Sequence, residues 1–174
     1  DLGQDPCSTR WRQIKTDNFQ IIYPDFFEQN AQYLANIYAK LYAHANTLGI
    51  KAKKMSMIVR ANGGISNGNA GWAPKKSELY TAPPQDVSDD WLEHLCIHEF
   101  RHVVQYDKVN QGFTKALYYI FGEQITMAVI GVYVPMWFLE GDATVFETSV
   151  GHSGRGRSPK FLNEMKAQIT EKGI

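Results

Sequence analysis

Three residues within one short segment could bind and use a metal ion. The segment WLEHLCIHEFRHVVQYD (residues 91–107) contains His98, Glu99 and His102 in the pattern H-E-x-x-H. On a helix the two histidines lie one turn apart on the same face, so both imidazoles can bind one metal ion. Glu99 lies about 100° around the helix, where its carboxylate can accept a proton from an activated water molecule. The motif therefore predicts a catalytic zinc site with one Zn²⁺ per chain.

A catalytic zinc ion needs a third protein ligand and one open position. The segment PMWFLEGDATVFET (residues 135–148) offers Glu140, which comes early in a predicted helix, shortly after the aromatic pair Trp137 and Phe138, which we expect to be buried. Such an anchor should make the carboxylate a rigid ligand. Glu123, in the preceding apolar segment, is the second choice, and Glu147 is a third carboxylate in the same region. We predict that Glu140 completes the zinc site.

The N-terminal half, which must help to position the motif, is predicted to be rich in strands. Apolar and aromatic residues predict strands over residues 13–24 and 54–60, and helical spacing predicts one long helix from Asp25 to Leu48. The Gly/Asn-rich segment ANGGISNGNAGWAP (residues 61–74) is predicted to be a loop, and SELYTAP (residues 77–83) another strand.

The C-terminal half is predicted to be helical. The motif helix should begin near Asp89, with Ser88 as its N-cap, and run to about Lys108. Further helices are predicted over residues 113–130, from Pro135, and over residues 161–171. Together these elements predict a single α+β domain over residues 1–174, strand-rich over 10–85 and helical over 88–174.

The charge balance and hydropathy exclude some classes of function. The chain has 18 Lys and Arg and 18 Asp and Glu, so there is no net positive charge to attract nucleic acid. The longest uncharged run, residues 124–139, is interrupted by Pro135 and is shorter than the roughly 18 residues of a membrane span. We expect no nucleic-acid partner and no transmembrane span, and a buried or interfacial hairpin at this run.

The motifs together resemble those of a known family. HEFRH followed by WFLEGDA resembles the gluzincin metallopeptidases, and GHSGRGRSP (residues 151–159) is similar to a segment of peptidase MA-like domains in exported bacterial proteins, some with a C-terminal β-propeller. The resemblance implies a thermolysin-like catalytic domain with a small N-terminal mixed sheet, zinc ligands His98, His102 and Glu140, and Glu99 as general base. It also implies an edge strand, SELYTAP or the preceding Gly-rich segment, that could hold an extended peptide.

The chain departs from the family pattern in two ways. Thirty-seven residues separate His102 from Glu140, a longer gap than in the thermolysin-like and aminopeptidase branches, so residues 113–135 are expected to form an inserted helix or hairpin. No G-x-M-E-N segment precedes the motif, which leaves exopeptidase specificity without support. An endopeptidase is the default expectation.

Several residues could support the reaction. A zinc-bound imidazole usually donates its second N–H to a carboxylate, for which Asp142 is the first candidate and Asp107 the second. Candidates for stabilising the oxyanion are His152, Tyr133 and Tyr80. Each of these has an ordinary structural role as its alternative interpretation.

Two arginines and one more histidine complete the candidates. Arg155 and Arg157 in SGRGRSP could hold a substrate carboxylate, although structural ion pairing or a surface position is the favoured interpretation. His94 lies one turn before the motif, and we interpret it as supporting or structural. Arg101 should face away from the ligands and pair with a neighbouring acid.

The sequence thus predicts zinc-dependent hydrolysis of a peptide or protein substrate, most simply by an endopeptidase. The alternative is a catalytically silent metallopeptidase-like module that binds or supports parts of a larger exported protein. Hydrolysis of a non-peptide amide is a third possibility. Because the chain begins with Asp1 and because of the family resemblance, we expect an extracytoplasmic protein (periplasmic, cell-surface or secreted) with a possible C-terminal partner domain.

Overall fold

The computed structural model describes residues 5–43, 45–85, 90–152 and 154–173. These residues form one five-stranded mixed sheet and six α-helices, which confirms the predicted α+β class. The elements are β1 (Trp11–Lys15), β2 (Phe19–Pro24), α1 (Glu28–Ala43), β3 (Met55–Arg60), β4 (Ser66–Trp72), β5 (Lys75–Thr81), α2 (Trp91–Val109), α3 (Gly112–Phe121), α4 (Glu123–Tyr133), α5 (Met136–Val150) and α6 (Pro159–Lys172).

The sheet has a parallel centre and two antiparallel edges. Its strand order is β1-β2-β3-β5-β4; β2, β3 and β5 run parallel, while β1 and β4 pair antiparallel at opposite edges. The helix α1 makes the crossover from β2 to β3, as parallel neighbours require. Met55, Met57 and Val59 on β3 are buried and alternate with half-buried residues, so helices cover chiefly one face of the sheet.

The core lies between that face and two helices. Leu34 and Tyr38 on α1 and Phe100 on α2 pack with Ile21 and Met57 of the sheet in one apolar cluster. On α2, every residue from His94 to Asp107 is buried. A helix buried all round is surrounded by other elements, and α2 has the sheet, α1, α4 and α5 as its neighbours.

The motif helix begins two residues later than predicted. Asp90 is its N-cap, and the Asp90 carboxylate accepts a hydrogen bond from the backbone N–H of Glu93 at 3.1 Å. The predicted cap Ser88 and start Asp89 lie outside the described residues.

Two element predictions were wrong. The predicted loop at residues 61–74 contains β4, whose backbone pairs with β5 over seven residues. Gly and Asn disfavour strands locally, but the ladder to β5 overrides that preference. The single helix predicted over residues 113–130 is two helices, because Gly122 adopts φ 75° and ψ −161°, a conformation that ends α3.

Length and hydropathy decide whether a described helix could cross a membrane. Among the described residues, no single helix is long and apolar enough to cross a membrane. The successive helices α4 and α5 meet the criterion together by length and composition, but they are bent by 96° at their junction. Moreover, α5 contributes Leu139, Ala143 and Phe146 to the protein interior.

Two glycines test the break between α3 and α4. Gly122→Ala should lower the free energy of unfolding by about 1–3 kcal/mol, because its backbone conformation is nearly restricted to glycine. Gly131→Ala, within α4, should raise it by about 0.5–1 kcal/mol, because alanine favours the helix. A Cβ at either position would meet no atom within 4 Å, so packing does not confound the pair. Urea denaturation of both variants measures the difference; equal effects would contradict the assigned backbone.

Candidate metal centre

Packing of α5 against α2 brings three potential metal ligands together. The Nε2 atoms of His98 and His102 lie 3.2 Å apart. Glu140 Oε2 lies 3.2 Å from His98 Nε2, and Glu140 Oε1 lies 3.5 Å from His102 Nε2. This group of two imidazoles and one carboxylate could hold a metal ion.

The three side chains differ in their access to solvent. His98 and His102 are buried on α2, whereas the Glu140 side chain is 49% exposed at the mouth of the cleft. Burial, together with the nearby His98, lowers the pKa of His102, although hydrogen bonding to Gln105 acts the other way. The His102 ring is therefore neutral at pH 7 and has a lone pair available for a metal.

The other ring nitrogen of each histidine faces an oxygen acceptor. His98 Nδ1 lies 2.9 Å from Glu147 Oε2, and His102 Nδ1 lies 2.9 Å from Gln105 Oε1. The Gln105 amide is oriented by its own N–H groups, which donate to Leu139 O at 3.0 Å and to an Asp142 oxygen at 2.7 Å. A proton held on Nδ1 by a contact of this kind leaves Nε2 free for a metal.

The buried Glu147 forms an ion pair with the half-exposed Arg155 beside His98. Its carboxylate accepts hydrogen bonds from Arg155 Nε at 2.8 Å and Nη2 at 3.0 Å, and from the Arg155 backbone N–H at 3.1 Å. Arg155 Nη2 is also 2.6 Å from His98 Nδ1; when Nδ1 carries the proton, Glu147 is the acceptor shared by both groups. Burial alone would raise the pKa of Glu147, but the hydrogen bonds from His98 and Arg155 lower it to about 2.

The sequence contained a signal for this role of Glu147. Glu147 follows Glu140 by seven residues, which is two helical turns, so both carboxylates lie on the same face of α5. Glu147, a candidate metal ligand from the sequence, contacts His98 at Nδ1, away from the metal-facing nitrogen.

Glu99 is buried beside the three potential ligands, with one oxygen unpaired. Within the described part of the chain, its Oε2 atom has no hydrogen-bond partner. Burial, with a smaller contribution from the charge of Glu140, raises the pKa of Glu99 to about 7, while His98 and Arg155 act to lower it. A carboxylate oxygen left unpaired in a cleft is available to a water molecule or ligand.

The edge strand β4 forms the wall opposite the motif helix. A Cβ at Gly68 would lie 2.7 Å from Glu99 Cδ, so only glycine permits this close approach. Residues 67–70 of β4 line a cavity of about 370 Å³ together with both histidines, Glu99 and Glu140. Of the two predicted edge segments, the Gly-rich one is the edge, because β5 (which contains most of SELYTAP) is paired on both sides.

Some predicted supporting residues lie at the site. Arg155 and His94 line the cavity. Asp142 accepts hydrogen bonds from Arg101 at 2.6 and 2.7 Å and from Gln105. The Asp142 carboxylate is therefore connected to His102 through the Gln105 amide, and not by the predicted direct contact.

Other predicted residues lie outside the cavity lining. Asp107 pairs with Lys75 at 3.1 Å, and Glu123 accepts from the Lys75 backbone N–H at 3.3 Å. The exposed His152 contacts Glu93 at 3.1 Å. The remaining candidates are also occupied elsewhere or exposed: Arg157 donates to the His152 carbonyl, Tyr80 contacts Glu78, and Tyr133 is exposed at the end of α4.

Comparison with known proteins gives no relative. No family model matches the chain, and no curated protein and no solved structure matches it. Any function must therefore be inferred from the residues of the site.

Glu147→Gln tests the ion pair between Glu147 and Arg155 in metal-free protein. Because the pKa of Glu147 is lowered to about 2 on folding, its ionised form stabilises the protein above the ordinary carboxyl pKa of about 4.3, and this contribution disappears as the pH falls towards 2. At pH 7 the variant should be less stable by about 2 kcal/mol. The difference between wild type and variant should shrink between pH 5 and pH 2.

Chemical denaturation in the presence of a chelator, repeated across this pH range, measures that difference. The control is Glu164→Gln on α6, whose side chain is exposed; it should change stability by no more than about 0.5 kcal/mol. A Glu147→Gln effect that does not change with pH would contradict the ion-pair assignment.

Proposed function

We propose that the chain is a zinc-dependent peptidase of the gluzincin type. The observation that carries the proposal is the closeness of the three side chains: the two Nε2 atoms lie 3.2 Å apart, and Glu140 places Oε2 3.2 Å from His98 Nε2 and Oε1 3.5 Å from His102 Nε2. One ligand atom from each side chain lies within 4.8 Å of the other two. Tetrahedral zinc with nitrogen and oxygen ligands at about 2.0–2.2 Å requires ligand atoms about 3.3 Å apart. The residues His98, His102 and Glu140 therefore fit one Zn²⁺ and leave a fourth position open.

The kinds of ligand favour zinc over magnesium and calcium. Two neutral imidazoles and one carboxylate suit a borderline-soft ion such as zinc, whereas magnesium and calcium prefer all-oxygen sites. The hydrogen bonds from Nδ1 to Glu147 and Gln105 provide the outer contacts that zinc-binding imidazoles usually have.

The chain's own residues supply the proton transfers. Zinc, when bound, supplies the Lewis acidity that activates water and polarises a carbonyl. Glu99 accepts the proton of the attacking water through its unpaired oxygen and then donates it to the leaving amine. Burial in a cleft with few competing partners keeps this carboxylate directed at the reacting water.

The substrate we propose is an extended polypeptide. The strand β4 uses one edge to pair with β5, and no strand described in the sheet pairs with its other edge. Because residues 67–70 line the cavity, a peptide that pairs with this edge would bring a backbone carbonyl beside the metal ligands. An endopeptidase follows from such binding, since pairing along an edge does not require a free terminus.

The overall arrangement is also proposed to be thermolysin-like. An edge strand, a motif helix and a second helix that carries the third ligand occur here in that order. The long gap between His102 and Glu140 is occupied by α3 and α4. By the same resemblance, we propose an extracytoplasmic location.

Metal content is the first test. Purified wild type offered zinc should retain about one equivalent per chain, and His102→Ala and Glu140→Ala should lose it, because two ligands bind zinc far more weakly than three. The controls are His152→Ala and Glu123→Ala, which remove the same side chains outside the cavity lining. Atomic absorption after dialysis provides the measurement. Absence of zinc from wild type, or equal loss from the controls, would refute the site.

Glu99→Gln separates an enzyme from a silent module. The variant should keep zinc, because Glu99 is not in the ligand group, but should hydrolyse peptides about 10²–10⁴-fold more slowly. Glu93→Gln on the same helix is the matched control and should retain activity. Cleavage of a mixed peptide library can be followed by mass spectrometry. A zinc-loaded wild type that cleaves none of the library would favour the silent binding module.

A further inference from the structure

The helix α3 exposes large apolar side chains to solvent on most of its surface. Phe113, Tyr119, Ile120 and Phe121 are between 62% and 79% exposed, and no residue of α3 is buried. A helix at a water-facing surface normally carries polar residues on its outer side. Because α3 has apolar residues there, it lacks the partner that would cover it.

A second exposed apolar group lies at the junction of α4 and α5. Val132, Tyr133, Met136, Trp137 and Phe138 are each more than half exposed. Together with α3, they form what we call the α3–α5 apolar surface. Residues 112–138 include just two charged side chains, Lys115 and Glu123. Apolar exposure on this scale marks an interaction site.

Positive charge borders this surface. A cavity of about 280 Å³ beside Tyr118 and Tyr119 is lined by four lysines, Lys53, Lys54, Lys75 and Lys115, and by one acid, Glu123. Lys75 is paired with Asp107. The other three lysines are exposed, and none belongs to an ion pair within the described residues. The border therefore has an excess of positive charge.

We propose that the α3–α5 apolar surface binds the interface of an anionic phospholipid bilayer. Tyr, Trp and Phe are the residues that favour the boundary between headgroups and acyl chains, and lysines beside them attract anionic headgroups. The helices α3 and α4 have 10 and 11 residues, about 15 Å in length, too short to span a bilayer but suited to lie within its surface. The positive border is the feature that favours lipid over an apolar protein partner.

Bilayer binding would place the candidate metal centre beside the membrane. Met136 belongs to the α3–α5 apolar surface and also lines the cavity that contains Glu99. The mouth of the cavity would then face segments of polypeptide close to the bilayer. The binding itself does not depend on the proposed peptidase activity.

Co-sedimentation with vesicles tests the proposal on the full chain. Wild type should bind vesicles that contain phosphatidylserine in phosphatidylcholine more tightly than vesicles of phosphatidylcholine alone, and added salt should weaken the binding. Phe121→Ser should reduce the partition coefficient by about tenfold, the effect expected when one phenyl ring is removed from an apolar contact. Lys115→Gln should reduce it severalfold on the anionic vesicles alone.

Matched variants elsewhere on the molecule are the controls. Phe26 and Phe121 are both 62% exposed, so Phe26→Ser removes the same exposed ring away from α3 and should leave binding unchanged. Lys15→Gln is the equivalent control for Lys115→Gln. Glu99→Gln should bind vesicles as wild type does, which separates this proposal from the proposed peptidase activity.

Three results would overturn the proposal. The first is that wild type binds vesicles of neither composition. The second is that Phe26→Ser and Phe121→Ser lose binding equally. The third is that the protein self-associates with increasing concentration in the absence of lipid and that Phe121→Ser abolishes this self-association. The last result would assign the α3–α5 apolar surface to a second copy of the chain.

Discussion

The burial of α2 is the constraint on which the rest of the structure depends. Its residues from His94 to Asp107 are all buried, and seven of them are polar. An unpartnered buried polar group costs about 1–3 kcal/mol, so neighbouring elements must supply partners. Asp142 on α5 binds both Arg101 and Gln105, and β5 supplies Lys75 for Asp107. These contacts fix how α5 and the sheet sit against α2.

The candidate metal centre follows from the same requirement. The contacts that satisfy Arg101 and Gln105 hold α5 in the position that brings Glu140 to the two imidazoles. Glu147, two turns further along α5, binds His98 from the opposite side of the ring. On α2, Glu99 is the residue with a buried oxygen that has no partner among the described residues. Because neighbouring buried polar groups of α2 have hydrogen-bond partners, the unpaired Glu99 oxygen is the one that a ligand in the cavity could use.

The sequence predicted the parts of this arrangement that depend on local spacing. The intervals among His98, Glu99 and His102, and the position of Glu140 early in its helix, are set by local sequence. The expectation that Trp137 and Phe138 are a buried anchor for Glu140 was wrong, because these side chains are 74% and 53% exposed. By contrast, the strand β4 depends on pairing with β5, and its Gly68 is required by the approach of Glu99, so neither is visible in local preference. The amide of Gln105 likewise orients His102 only because α5 supplies Leu139 and Asp142.

The inserted helices α3 and α4 differ in how much they pack against the core around α2. On α4, Thr126 and Ile130 are buried, and Ile130 packs in the cluster that contains Tyr106 and Leu139. This side of the insertion supports α2 and α5 near the potential metal ligands. The helix α3 has no buried residue and adds little to that core. A connection that served only to join α2 to α4 would not need ten mostly apolar residues in water, where their exposure favours aggregation. The partly buried α4 therefore supports the site, and the exposed apolar residues of α3 are better explained by contact with a lipid bilayer or another molecule.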